Sequence, residues 1–170
     1  AIYLRVLTLT SAQKVISPKI ELWDAIIRQL LFPKSGSEYE EHVHQNALSC
    51  AQGLATHYQS DEAHYNAVRV YACLIFDKMK KTHGLSARKR MILELACILH
   101  ECGYYVNSKS HLLSTYDLIK NTDIYGLTDE DVLLIATISR YNEYKCPANN
   151  DPEYIRLSQK NRLAVSKLVA

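Results

Sequence analysis

The feature that most narrows the fold of this chain is the run Met91-Ile-Leu-Glu-Leu-Ala-Cys-Ile-Leu-His-Glu-Cys-Gly-Tyr-Tyr105, apolar on nearly every side of a helix and closed by His100, Glu101 and Gly103. A helix with no wet face must lie in the middle of a domain made of other helices, so the two ionisable side chains at its end emerge inside the fold. The remaining composition agrees. Of 170 residues, 48% are apolar, enough to bury a core without staples, and five glycines with four prolines supply few of the turns an all-β chain needs. A net charge of +2 is too small to imply bulk nucleic-acid binding, and no specific nucleic-acid partner is expected. The five cysteines are odd in number, form no Cys-x-x-Cys pair and lie mostly in apolar helical stretches, which predicts free thiols in a reduced, cytoplasmic protein. No apolar run approaches the roughly 20 residues of a membrane span, and the first residues lack the basic start of a signal peptide.

Local signals divide the chain. Residues 1–31 read as a short helix, a possible strand at Lys14-Val-Ile-Ser17 and a second helix opened by Pro18, an α/β fragment with too few strands for a sheet of its own. After the break at Phe32-Pro-Lys-Ser-Gly36, Ser37 and Glu40 form a capping box that starts a helix to about Tyr58. A second helix is expected from Asp61 and Glu62 to Thr82-His83-Gly84, with an inward stripe of His64, Val68, Tyr71, Ala72 and Ile75. Ser86 caps the central helix, and a shorter helix spans about Ser110 to Asn121. Thr128 with Asp131 forms a capping box, Leu127 and Val132 being placed for a hydrophobic staple. Asp151 and Pro152 suit the N-cap and first position of a last helix through Leu168, giving about six helices after residue 36. The many tyrosines, twelve in all, are expected to fill core positions with hydroxyls reaching polar neighbours.

Two groups of residues carry chemistry. Divalent-metal phosphohydrolysis needs oxygen and imidazole ligands converging from several helices, and His64, His100 and Glu101 are the candidates, the two histidines 36 residues apart on helices that can pack antiparallel. The same residues equally suit a plain structural role, His100 bonding the last carbonyls of its own helix and His64 a hydrogen-bonded core histidine. The second group is cationic: Lys78, Lys80, Lys81, His83, Arg88, Lys89 and Arg90 surround one helix–helix turn with no acid between Asp77 and Glu94. Such a ridge fits a polyanion partner, or a solvated loop that keeps the protein soluble. His111, near a helix start, and Arg140, in a last helical turn, are further polar candidates that equally suit a cap and a helix dipole. No nucleophile–base arrangement and no Gly-rich phosphate loop is present.

Three segments in order, HYNAVRVYACLIFDKM (64–79), SARKRMILELACILHECGYYVNSKSH (86–111) and STYDLIKNTDIYGLTDEDVLLIATISRY (114–141), resemble the C-terminal helical region of the exopolyphosphatase and guanosine pentaphosphate phosphatase (Ppx/GppA) family. The resemblance covers most of residues 38–168. It implies an all-α, HD-domain-like helical bundle over 34–170, cut short at its C-terminal end, preceded over 1–33 by a remnant of an actin-like (ribonuclease H-like) catalytic domain. Lys14-Val-Ile-Ser-Pro-Lys-Ile-Glu-Leu-Trp-Asp-Ala-Ile-Ile27 looks like the last strand and helix of that domain. It further implies a parent that hydrolyses phosphoanhydride bonds in polyphosphate or guanosine pentaphosphate, with Mg²⁺ expected for the parent and none firmly expected for this chain, which alone would be inactive. The helical part would serve dimerisation, as a homodimer, and polyanion binding through Lys78, Lys80, Lys81, Arg88, Lys89, Arg90, His111 and Arg140. His64, His100 and Glu101 correspond to a vestigial HD metal motif, in which Glu101 replaces an aspartate. Two departures stand beside it: Asn142 follows Arg140-Tyr141 where the family usually carries His, and Arg162–Ala170 stops before the segment that would bring a last metal-binding Asp. A stand-alone metal-dependent HD phosphohydrolase, and an interaction module without ligand, are the alternatives.

Overall fold

The computed structural model describes residues 8–9, 26, 37–143, 146–148 and 150–169. The chain divides into two compact units, Ala1–Ser37 and Glu38–Ala170. The α/β remnant expected over 1–33 and the Ser37 side chain of the first capping box lie outside the described residues. The regular structure of the described residues is helical, with no strand among them, and none of their helices is long and apolar enough to cross a membrane.

Among the described residues from Ser37 onward, eight α-helices and one 3₁₀ turn follow in order: α1 Ser37–His57, α2 Glu62–Lys78, α3 Lys80–His83, α4 Ala87–Leu99, the 3₁₀ turn Cys102–Tyr105, α5 His111–Lys120, α6 Asp129–Arg140, α7 Pro152–Ile155 and α8 Gln159–Val169. Helix α4 is the axis. Every residue from Met91 to Leu99 is buried, as a helix greasy on all sides requires. It packs on α2 along one side and α6 along another, while α5 closes against α6 and the 3₁₀ turn, and α8 lies on α6. Ile92, Leu95, Ile98, Leu134, Ile135 and Val165 are fully buried where these helices meet, each contributing about 1.5–3 kcal/mol by removal from water. Helix α1 joins through Val43, Ala47, Ala51 and Ala55, a buried stripe at four-residue spacing whose small side chains allow close approach.

Several helix boundaries follow the sequence signals and several do not. Thr128 Oγ1 accepts from Asp131 N at 3.2 Å and Asp131 Oδ2 accepts from Thr128 N at 3.4 Å, a complete capping box at the start of α6. Asp151 accepts from Glu153 N at 3.0 Å ahead of Pro152, as expected for a cap. The last helix is nevertheless two helices. Leu157 turns into the core between them, and Ser158 Oγ accepts from Asn161 N at 3.4 Å to start the second. Ser86 stands in the extended N-cap conformation, yet its hydroxyl makes no capping bond.

The expected inward face of α2 needs correction. Tyr65, Cys73 and Phe76 are the buried residues, whereas Tyr71 and Ile75 are 65% and 58% exposed and His64 is exposed. The physical reason is that α2 is apolar on two sides, with Val70, Tyr71, Leu74 and Ile75 opposing Val68, Ala72, Cys73 and Phe76, so periodicity alone did not decide which side turned in. The helix also ends earlier than its polar run: it stops at Lys78, and the single turn α3 follows before Gly84 closes it at φ +63°, a conformation glycine adopts without strain.

Gly103 is the hinge of the central helix's far end. A Cβ there would stand 2.1 Å from the His111 carbonyl oxygen and 2.5 Å from Thr115 N, so only glycine lets α5 approach this closely. The Gly103 N–H donates to Thr115 Oγ1 at 3.0 Å, and that hydroxyl donates in turn to the His100 carbonyl at 3.2 Å. The end of α4 is thereby tied to α5. Of the tyrosines, Tyr65, Tyr116 and Tyr154 are buried as expected, and the hydroxyls of Tyr116 and Tyr154 bond Glu153 and the Arg162 carbonyl, but Tyr71, Tyr104, Tyr105 and Tyr125 are exposed.

Candidate functional site

Two turns of helix converge at the tied end of α4. Asp61 caps α2, its Oδ1 accepting from the backbone N–H of Ala63 at 2.9 Å and of His64 at 3.2 Å, and this fixes His64 in the first turn. His100 is the C-cap of α4, and Glu101 follows it into the 3₁₀ turn. The ligand atoms of His64, His100 and Glu101 all lie within 4.8 Å of one another. Their imidazole rings are 5.5 Å apart between centroids, and His64 Nε2 stands 3.5 Å from Glu101 Oε1. The sequence bracketed all three, although His64 arrives from the exposed side of α2, half accessible, and not from its buried stripe.

The electronic state of His100 is set by its surroundings. Its Nδ1 lies 2.7 Å from the Cys97 carbonyl oxygen, which assigns the proton to Nδ1 and leaves the Nε2 lone pair available. Burial pushes the ring below its ordinary pKa, against the opposing pull of the Cys97 bond and the Glu101 charge, so the neutral form prevails. The structural reading of His100 is met, its Nδ1 bonding a carbonyl of the last turn of its own helix, whereas the core position read for His64 is not, since that ring is half accessible. Two imidazole nitrogens and one carboxylate suit Mn²⁺, Co²⁺ or Zn²⁺; they do not suit Mg²⁺, which demands near-octahedral oxygen ligation. Among the described residues no fourth His, Cys, Asp or Glu joins the group. Asn142, at the position where the resemblance expects histidine, lines with His100 and Ser139 a largely apolar cavity of about 160 Å³ between α2, α4, α6 and α8, but it offers an amide.

The basic ridge is not a single surface. Arg88 pairs with Asp131 at 2.7 Å and donates to the Gly126 carbonyl at 3.1 Å. Arg90 forms a two-pronged pair with Asp77 at 2.8 and 2.9 Å and reaches Glu94 at 3.8 Å, while Lys89 donates to Asn161. Burial pulls the Lys89 ammonium below its ordinary value, opposed by Asp131 and Glu130. The chain order showed a run of cations without acids; the fold brings the acids in from neighbouring helices. Lys78, Lys80 and Lys81 remain exposed, with no ion-pair partner among the described residues. Nor do the other two candidates lie open. His111 bonds Glu143 at 3.0 Å and stacks on Tyr104 at 3.9 Å, and Arg140 sits 5.5 Å over the rings of Tyr116 and Tyr141 and 3.9 Å from Asp151.

One charged group escaped sequence reasoning. Glu94, almost fully buried in the greasy helix, holds His44 at 2.9 Å and Arg69 at 3.3 Å as well as Arg90, linking α1, α2 and α4. The signal was present, since a lone acid in an apolar helix must find cations. What the chain order could not show was which ones. A family model described as Ppx/GppA phosphatase, domain III, matches residues 48–170.

Proposed function

This chain belongs to the Ppx/GppA phosphatase family, and from that premise we propose that its helical unit is a non-catalytic domain of a protein that hydrolyses phosphoanhydride bonds in polyphosphate or guanosine pentaphosphate. The match over residues 48–170 is the observation that carries this reading. In it, the groups that perform the reaction, and the Mg²⁺ expected with them, belong to the actin-like part of the parent, and the helical unit self-associates as a homodimer and guides the polyanion. Lys78, Lys80 and Lys81 are the cations best placed for that task, because Arg88, Lys89 and Arg90 already serve partners inside the unit. Their attraction for a linear polyphosphate acts at long range and weakens with salt. The test is binding of fluorescent polyphosphate to the purified chain and to a triple variant with Lys78, Lys80 and Lys81 changed to Ala. Loss of three phosphate contacts should flatten the dependence of log affinity on log salt by about 2; an unchanged slope overturns the assignment of these lysines.

A second reading rests on the convergence of His64, His100 and Glu101, and makes the unit a metal-dependent HD-type phosphohydrolase in its own right. The three side chains would hold a transition metal by two nitrogens and one oxygen, with open positions for water and a phosphate oxygen, and a bound metal would supply Lewis acidity. On this reading the chain takes up Mn²⁺ or Co²⁺ in calorimetric titration, His100→Ala abolishes the uptake, and phosphatase activity follows the metal. No uptake and no activity leave the first reading alone.

A further inference from the structure

Beside the His64–His100–Glu101 cluster, and sharing Glu101 with it, an open cleft of about 430 Å³ is walled by Tyr58 at the end of α1, Asp61 at the start of α2, and Tyr104 and Tyr105 in the 3₁₀ turn. We propose that this cleft binds an alkylammonium group, held between tyrosine faces and the carboxylates of Asp61 and Glu101. The proposal does not depend on the phosphatase reading.

Its walls are aromatic and solvent-accessible. Tyr104 and Tyr105 are 45% and 57% exposed, and Tyr58 meets Tyr105 edge to face at 5.9 Å, so three rings border one concavity. Stacking of His111 on Tyr104, at 3.9 Å and 10° between planes, holds that ring in position from outside the cleft. The electrostatics have one sign. Asp61 spends Oδ1 on the α2 cap and leaves Oδ2 without a hydrogen-bond partner among the described residues, and the Glu101 carboxylate pairs with His64 at 3.5 Å, with no lysine or arginine paired to it among the described residues. No lysine or arginine is among the described residues lining the cleft. Burial raises the Tyr104 phenol, and the charges of Glu143, outside the cleft lining, and of Glu101, within it, raise it further.

An aromatic-walled, anionic cleft without a resident cation selects a positive ligand with apolar surface. A polyphosphate is repelled by Asp61 and Glu101. A bare divalent ion gains most from the imidazoles on the far side of Glu101. An alkylammonium gains from both walls, the charge from the carboxylates and cation–π contact, and the methylenes from the rings. Such a group is carried by free polyamines and by lysine side chains, and the two sources are separable by experiment.

The whole 170-residue chain is titrated calorimetrically at low salt with spermidine and, separately, with a short peptide carrying one lysine. Saturable one-site binding by either is expected, and the arm that binds identifies the source. Tyr105→Ala and Asp61→Asn should each weaken it about tenfold; asparagine keeps the α2 cap, so the second variant folds even if the first does not. His100→Ala, which removes a metal donor outside the cleft, should leave it unchanged. Failure of both ligands to bind, or binding that Asp61→Asn and Tyr105→Ala leave intact, overturns the proposal.

Discussion

His100 ends a helix in which nine consecutive residues are buried, and it answers that environment by donating a hydrogen bond from its Nδ1–H to the Cys97 carbonyl 2.7 Å away. Because burial lowers its folded-state pKa, the unfolded chain takes up a proton more readily than the folded one as the solution is acidified. The neutral ring's contribution is therefore complete above the unfolded value, about 6.5, and is lost as the pH falls through the lower folded value. Melting temperature should decline between about pH 7 and 5, and His100→Gln should remove part of that decline. Asp131 and Asp151 do not confuse the measurement. Burial acts to raise both carboxyls, but bonds from Arg88 and Thr128 to the first, and from Tyr141 and the backbone to the second, hold each below its ordinary value, so they titrate further down. Parallel melting curves for the two proteins across pH 5–7 would count against a buried neutral imidazole. That His100 and Glu101 would follow a wholly buried stretch of helix was readable from the apolar run before them, but both are half-buried and Glu101 lines an open cleft. That Asn142 and Ser139 would share a cavity with the ring was not, since nothing within either segment encodes the approach of the other.

Signals confined to one turn of an element were legible; those that depend on a partner element were not. The start of α6 is written in four residues, Thr128 to Asp131, and both reciprocal bonds form as the spacing demands. Thr128→Ala should accordingly cost about 1 kcal/mol, read as a lower urea midpoint at unchanged slope, with Thr128→Ser close to the parent; an alanine variant as stable as the parent would show that Arg88 alone holds Asp131 in place. Helix α2 is the contrary case. Two apolar faces satisfied the same period, and the choice between them was made by α4, which Tyr65, Cys73 and Phe76 meet. The break between α7 and α8 likewise follows from burying Leu157, a tertiary demand. The cationic run after Asp77 shows the same limit: Asp131 and Asn161, each supplied by a helix distant in sequence, take up Arg88 and Lys89.

Across the molecule, α2 separates two kinds of surface. Asp61 and Glu62 stand at its start beside the tyrosine cleft, and Lys78, Lys80 and Lys81 stand at its other end, 17 helical residues away, or roughly 25 Å at 1.5 Å per residue. A rigid core must lie between them if the two ends are to keep their separate characters. Among the described residues the core runs from Ala47 on α1 to Val165 on α8, with Ile92, Leu95, Leu134 and Ile135 in one buried cluster, and the second unit is compact by itself. We therefore expect residues 38–170, expressed alone, to unfold in one cooperative transition with the helical signal of the whole. Removing α8 as well should not be tolerated. Val165 and Ala164 are fully buried against α6, and Leu168 and Val169 wall the cavity beside His100; at about 1.5–3 kcal/mol for each large apolar side chain uncovered, the loss approaches the 5–15 kcal/mol that holds a domain of this size together. Circular dichroism with thermal melting checks both. A shortened chain ending at Ser158 that melts as cooperatively as 38–170 would mean that the helices before it close the core unaided, and that α8 serves the cavity beside His100 alone.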